Sequence, residues 1–97
     1  HAAHRPDVLV VDERPLPQYG ITALPHSLHM AWDTIRRDVQ GARTAIAQAA
    51  QGRDVLVVCR RGNDSRAAVH LLDMPRCQNV RGGLRAYADK HPDFPMY

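Results

Sequence analysis

A small α/β domain, with a mainly parallel central sheet flanked by helices, is the fold class that this sequence predicts. Three observations carry the prediction. Two short runs rich in valine, Asp7-Val8-Leu9-Val10-Val11 and Asp54-Val55-Leu56-Val57-Val58, read as buried strands. Between them, apolar residues return three and four positions apart, as on one face of a helix. A second helical pattern follows the second run directly, and strands that alternate with helices imply parallel pairing. A chain of 97 residues has room for one such core.

The first strand closes in Asp12-Glu13-Arg14-Pro15. Prolines 15, 17 and 25, with Gly20, predict an irregular stretch after it. Ser27-Leu28-His29-Met30 reads as a second short strand. From Asp33, the residues Ile35, Val39, Ala42, Ile46 and Ala49-Ala50 mark a helix, which Gly41 weakens enough to split in two. Gly52 stops it. The run to Val58 reads as a central strand covered on both faces. Beyond Cys59 a helix is expected from Asp64 or Ser65, either of which can cap it, through Leu72, with Pro75 ending it. Asn79-Val80 reads as a last short strand, and a short helix is expected after Gly82-Gly83, with few residues between Leu72 and that turn.

Thirteen Lys and Arg against ten Asp and Glu give a formal charge of +3, scattered along the chain. No stripe of basic and aromatic residues accompanies it, so no direct nucleic-acid binding is expected. No apolar run approaches the roughly twenty residues of a membrane span, and no membrane association is expected. A start at His1 instead of Met is expected of a trimmed chain or a piece of a longer one. The two cysteines, Cys59 and Cys77, are expected to be free thiols in a reducing, cytoplasmic setting. Cys77 reads as structural. The histidines make no metal-ligand pattern, and no metal site is expected.

The chemistry concentrates at Cys59-Arg60-Arg61-Gly62-Asn63-Asp64-Ser65-Arg66. A cysteine at a strand end, followed by a glycine-containing turn and a helix, lies in the mouth of a loop whose backbone N–H groups can point inward. Such a cradle favours a thiolate and would also hold a persulfide anion. Arg60 and Arg61 add positive potential, Gly62 permits the close turn, and Asn63 can brace the loop. Asp12 and Arg14 are expected to pair at the mouth of the sheet, with His26 and Arg66 as further candidates at its rim. Trp32 and Tyr87 read as core or rim aromatics.

These segments resemble the rhodanese-like sulfurtransferase family. Val10-Val11-Asp12-Glu13-Arg14 is similar to its early strand and Asp-x-Arg turn, and Leu24-Pro25-His26-Ser27-Leu28-His29-Met30 to its proline-containing segment and second strand. Val57-Val58-Cys59-Arg60-Arg61-Gly62-Asn63-Asp64-Ser65 is similar to its persulfide loop, and Val80-Arg81-Gly82-Gly83-Leu84 to its final strand and following helix. The resemblance implies a rhodanese-like three-layer α/β domain over residues 1–97 and Cys59 as persulfide carrier. A narrower likeness, in Arg61-Gly62-Asn63-Asp64-Ser65, Leu24-Pro25-His26, Gly82-Gly83-Leu84-x-Ala86 and Phe94-Pro95-x-Tyr97, is to the C-terminal domain of eukaryotic E1-like adenylyltransferase and sulfurtransferases. It implies an E1-like domain earlier in the same chain, to which ATP and zinc would belong, and no cofactor in this domain. It also implies a cysteine desulfurase or other persulfide donor, and a ubiquitin-like sulfur-carrier protein as acceptor. The thiocarboxylate product would serve tRNA wobble-uridine thiolation, protein modification and molybdopterin synthesis.

Two departures from the family pattern stand out. Glu13 replaces the usual Val or Thr between Asp and Arg, and is expected to be solvated. Asp64 stands where thiosulfate-using members place a basic residue, so a small dianion should be repelled. A stand-alone thiosulfate sulfurtransferase and a non-catalytic interaction module are the alternatives within the fold. A cysteine phosphatase needs Cys, five residues, then Arg; Ser65 occupies that last position here, which argues against it.

Overall fold

A computed structural model describes residues 8–21, 23, 26–59 and 63–80. Their frame is a parallel sheet of four strands in the order β2-β1-β3-β4. The strands are β1 (Val8–Asp12), β2 (Leu28–His29), β3 (Asp54–Val58) and β4 (Cys77–Asn79). The two valine-rich runs are therefore the two inner strands. β1 and β3 pair over their full length, from Val8 opposite Asp54 to Asp12 opposite Val58. Their apolar content follows from that position, because an inner parallel strand is covered on both faces.

One face carries Leu9, Val11, Val55, Val57 and Cys77, which bury against Ile35, Ala42, Ile46, Ala50, Ala68 and Leu72. Those partners come from α2 (Trp32–Arg37), α3 (Val39–Ala50) and α4 (Asn63–Leu72), which pack on one another as a helical layer. Val10 and Val58, on the alternate positions of the strands, are equally buried. The helix expected after Gly82-Gly83 and Tyr87 lie outside the described residues.

Four expectations need correction. The proline-containing stretch is not irregular throughout: it holds a one-and-a-half-turn helix, α1 (Leu16–Ile21). Pro15 precedes it and accepts from the N–H groups of Gln18 and Tyr19 at 3.0 and 3.1 Å, while Pro17 falls in the first turn, where no N–H is needed. The long helix is divided at Asp38, not at Gly41. Asp38 has φ −148° and ψ 80°, ends α2, and caps α3 by accepting the Gly41 N–H at 2.9 Å. Gly41 makes room for that cap, since a Cβ there would overlap the Asp38 carboxylate. α4 begins at Asn63, so Asp64 and Ser65 lie in its first turn and do not cap it. It stops at Asp73 (φ 49°), whose N–H returns to Val69 O at 3.1 Å, two residues before Pro75. A second left-handed residue, Arg76 (φ 61°), then turns the chain into β4, which starts at Cys77 and ends at Asn79.

Candidate active site

β1 and β3 end together, and the site lies just beyond their C-terminal ends, where parallel sheets present their loops. Cys59 is the first residue after β3 and is 6% exposed. Its thiol donates to Ser65 Oγ at 3.3 Å, and the Ser65 backbone N–H donates back to Cys59 Sγ at 3.4 Å. That N–H belongs to the first turn of α4, where backbone donors have no partner within the helix. Ser65 is fully buried, so both contacts are shielded from water. The Ser65 N–H contact strengthens as the sulfur takes up negative charge, and the Ser65 hydroxyl can then turn to donate to it.

Asp12 ends β1 and holds Arg14 through a buried ion pair. Arg14 Nε reaches the two Asp12 carboxylate oxygens at 2.9 and 3.1 Å, Nη2 lies 2.6 Å from Oδ2, and the Arg14 N–H donates to Oδ1 at 3.1 Å. Both side chains are about as inaccessible as core valines. The Asp-x-Arg turn is thus held by a buried local ion pair, the pairing expected from the sequence. His29 Nε2 meets the Arg14 carbonyl at 2.7 Å and stacks against Tyr19, which ties β2 and α1 to the same turn.

Glu13, expected in solvent, is 2% exposed. Its N–H donates to Val58 O at 3.0 Å and its carbonyl accepts the Trp32 N–H at 3.0 Å, which pins the backbone between β3 and the start of α2. The register pairs Asp12 with Val58, and one further step sets Glu13 beside Cys59. Among the described residues, neither carboxylate oxygen has a well-formed hydrogen bond. Burial, then the charges of Asp64 and Asp12, push this carboxyl up from 4.5 to about 8, while contact with the Cys59 thiol pulls the other way.

These residues open onto a cavity of about 510 Å³, lined among others by Glu13, Arg14, Trp32, Cys59 and Asp64. Asp64 is exposed at its edge, in the first turn of α4. Leu16, at the start of α1, also lines it and is 65% exposed. Of the candidates from sequence, Cys59, Ser65, Asp64 and Arg14 therefore meet at one place. Arg66 is exposed on α4, and His26 is exposed in a turn with φ 61°; neither lines this cavity. Arg60, Arg61 and Gly62 lie outside the described residues, and Asn63 is described only as the first residue of α4. No cluster of metal-ligating side chains occurs among the described residues.

Cys77 is remote from this chemistry. It pairs with Val55, four residues before Cys59, which separates the two by about 13 Å along the strand direction. Neither thiol forms a disulfide, and burial pushes that of Cys77 up.

The rhodanese-like domain family matches residues 1–90. The chain belongs to that family. Among curated relatives, it is 39% identical over 97 residues to the adenylyltransferase and sulfurtransferase MOCS3 of Aedes aegypti, and 32% identical over 93 residues to MOCS3-2 of Zea mays. Each alignment covers 92% of this chain but only 22% and 19% of the relative, so the chain spans about a fifth of those relatives' length. Among solved structures, a rhodanese-related protein of Thermoplasma volcanium superposes with a TM-score of 0.71 at 21% identity, over 92% of this chain and 82% of that one. That likeness establishes the fold. No helix among the described residues is long and apolar enough to cross a membrane.

Proposed function

We propose that the domain is a sulfurtransferase in which Cys59 takes sulfur from a protein persulfide and carries it as Cys59–S–SH. One observation carries this reading: Cys59 Sγ is buried at the end of an inner strand, held by the Ser65 N–H and hydroxyl, and faces a cavity large enough for a reacting group. Attack of the thiolate on the donor's outer sulfur leaves the donor as a thiol.

The acceptor we infer is the adenylated Gly-Gly terminus of a ubiquitin-like sulfur carrier, with AMP leaving as the persulfide attacks the acyl group. Release of the thiocarboxylate from the resulting acyl disulfide then needs a further thiol, which an E1-like portion of a longer chain would supply together with ATP and zinc. The relatives named adenylyltransferase and sulfurtransferase support this pairing of activities. The exposed apolar side chains of Leu16 and Ile21 on α1, the first lining the cavity, suit protein donors and acceptors. Asp64 at the cavity edge disfavours thiosulfate. Roles in tRNA thiolation, protein modification and molybdopterin synthesis in the cytoplasm follow from the same reading.

The test is intact-mass measurement after incubation with a persulfide donor. Wild type should gain one reducible sulfur atom and C59S none; a wild type that gains none removes the assignment. Addition of an adenylated Gly-Gly carrier should then yield a thiocarboxylate or a carrier conjugate.

A further inference from the structure

We propose that Glu13 is the proton acceptor and donor for Cys59 during sulfur transfer, an inference that rests on the persulfide chemistry proposed above. The sequence contains a single glutamate, and it occupies the position beside the nucleophile. A buried carboxylate with no well-formed hydrogen bond among the described residues is costly to keep charged, and such a group persists at the expense of stability. Among the described residues, the charged groups on the neighbouring elements are these. On β1, Asp12 is committed to Arg14; on α4, Asp64 is acidic; on α2, Asp33 is paired with Arg36; after β3 stands Cys59. No cation among these is committed to Glu13, so a proton is the counter-charge available to it, and Cys59 is the neighbour that exchanges protons in the reaction.

The step balances without an oxidant or reductant. In molecules whose Glu13 is ionised, the Cys59 thiol passes its proton to the Glu13 carboxylate, and the thiolate attacks the outer sulfur of the donor persulfide. A new S–S bond forms on Cys59 as the donor's S–S bond breaks, and the electron pair leaves on the donor's inner sulfur. Glu13 returns its proton to that sulfur, which departs as a thiol, and the carboxylate is restored. A carboxyl that titrates at about 8 is matched to this exchange near neutral pH.

Because Glu13 is the only glutamate, carboxyl-labelled glutamate reports its titration in the intact wild-type chain by carbon NMR. The midpoint should lie well above that of an ordinary carboxylate and should move on substitution C59S and on persulfide loading. Persulfide loading of wild type, E13Q and E13V is then followed by mass across pH 6–9 (a range of roughly physiological span). Both variants should load about tenfold more slowly at neutral pH and lose the inflection that tracks the glutamate resonance. Superimposable profiles for all three proteins overturn the proposal, as does an ordinary carboxylate titration in wild type, which stands even if a variant fails to fold. If wild type acquires no sulfur at any pH, the sulfurtransferase reading fails first, and the NMR titration still shows whether Glu13 and Cys59 share a proton.

Discussion

Glu13 and Cys59 are neighbours across two strands, because β1 and β3 keep their parallel register one residue beyond the last sheet pair and Glu13 N–H bonds Val58 O at 3.0 Å. A carboxyl group and a thiol thus share one buried corner. The consequences can be measured separately from catalysis.

The first concerns stability against pH. The folded-state value of Glu13 lies above its unfolded one, so between about 4.5 and 8 the folded chain binds more protons than the unfolded chain. Stability is therefore undiminished below the lower value and falls as pH rises through the upper one. Urea denaturation should show wild type losing on the order of a few kcal/mol between acidic and alkaline conditions, with E13Q losing far less.

Among the described residues, Ser65 also contacts the thiol. Replacing it with alanine removes the hydroxyl at 3.3 Å but keeps the backbone N–H at 3.4 Å. S65A should slow persulfide loading of Cys59 by about tenfold, the weight of one hydrogen bond to a charged group. Stopped-time mass analysis at fixed pH reads this directly.

The Asp12–Arg14 pair is fully buried. Asp12→Ala leaves a guanidinium without its carboxylate and should cost about 3–5 kcal/mol in unfolding free energy. Thermal melting should show that loss at every pH near neutrality.

Asp64 stands exposed at the cavity edge. Changing it to lysine reverses a charge that a dianion must approach, and D64K should raise thiosulfate-to-cyanide turnover on the order of tenfold. A rate that stays put would mean that Asp64 does not select the donor.

Cys77 opposes Val55, at the far end of β3 from Cys59. C77A should therefore leave sulfur loading of Cys59 unchanged while lowering stability by about 1 kcal/mol through lost core volume. A loading defect in a folded C77A protein would contradict the separation of the two thiols.

Much of this architecture is legible in the residues. Val8–Asp12 reads as a buried strand and Asp54–Val58 as a central one because valine runs bounded by polar turns fit little else, and the strand–Cys59–helix succession points to the candidate nucleophile. The short Asp12–Arg14 spacing already suggests the ion pair. What escaped reading depends on neighbours distant in sequence. Glu13 carries no local sign of burial; only the pairing of β1 with β3 reveals it, and counting both strands to their shared end would have found it. Pro15, Pro17 and Gly20 masked α1, although proline is compatible with a helix's first turn. Asp38 is not legible as a divider because Gly41, three residues on, offers the more familiar reason for a break, whereas in the structure the glycine accommodates the cap.

The shared ending of β1 and β3 also separates two inheritances. The proposed nucleophile and the residues after it are encoded in one stretch of chain, while the carboxyl group proposed to exchange protons with it is encoded 46 positions earlier, just after a different strand. Under the proposed chemistry, a single codon change after β1 would retune the reactivity of Cys59 and leave the sequence of its own loop untouched.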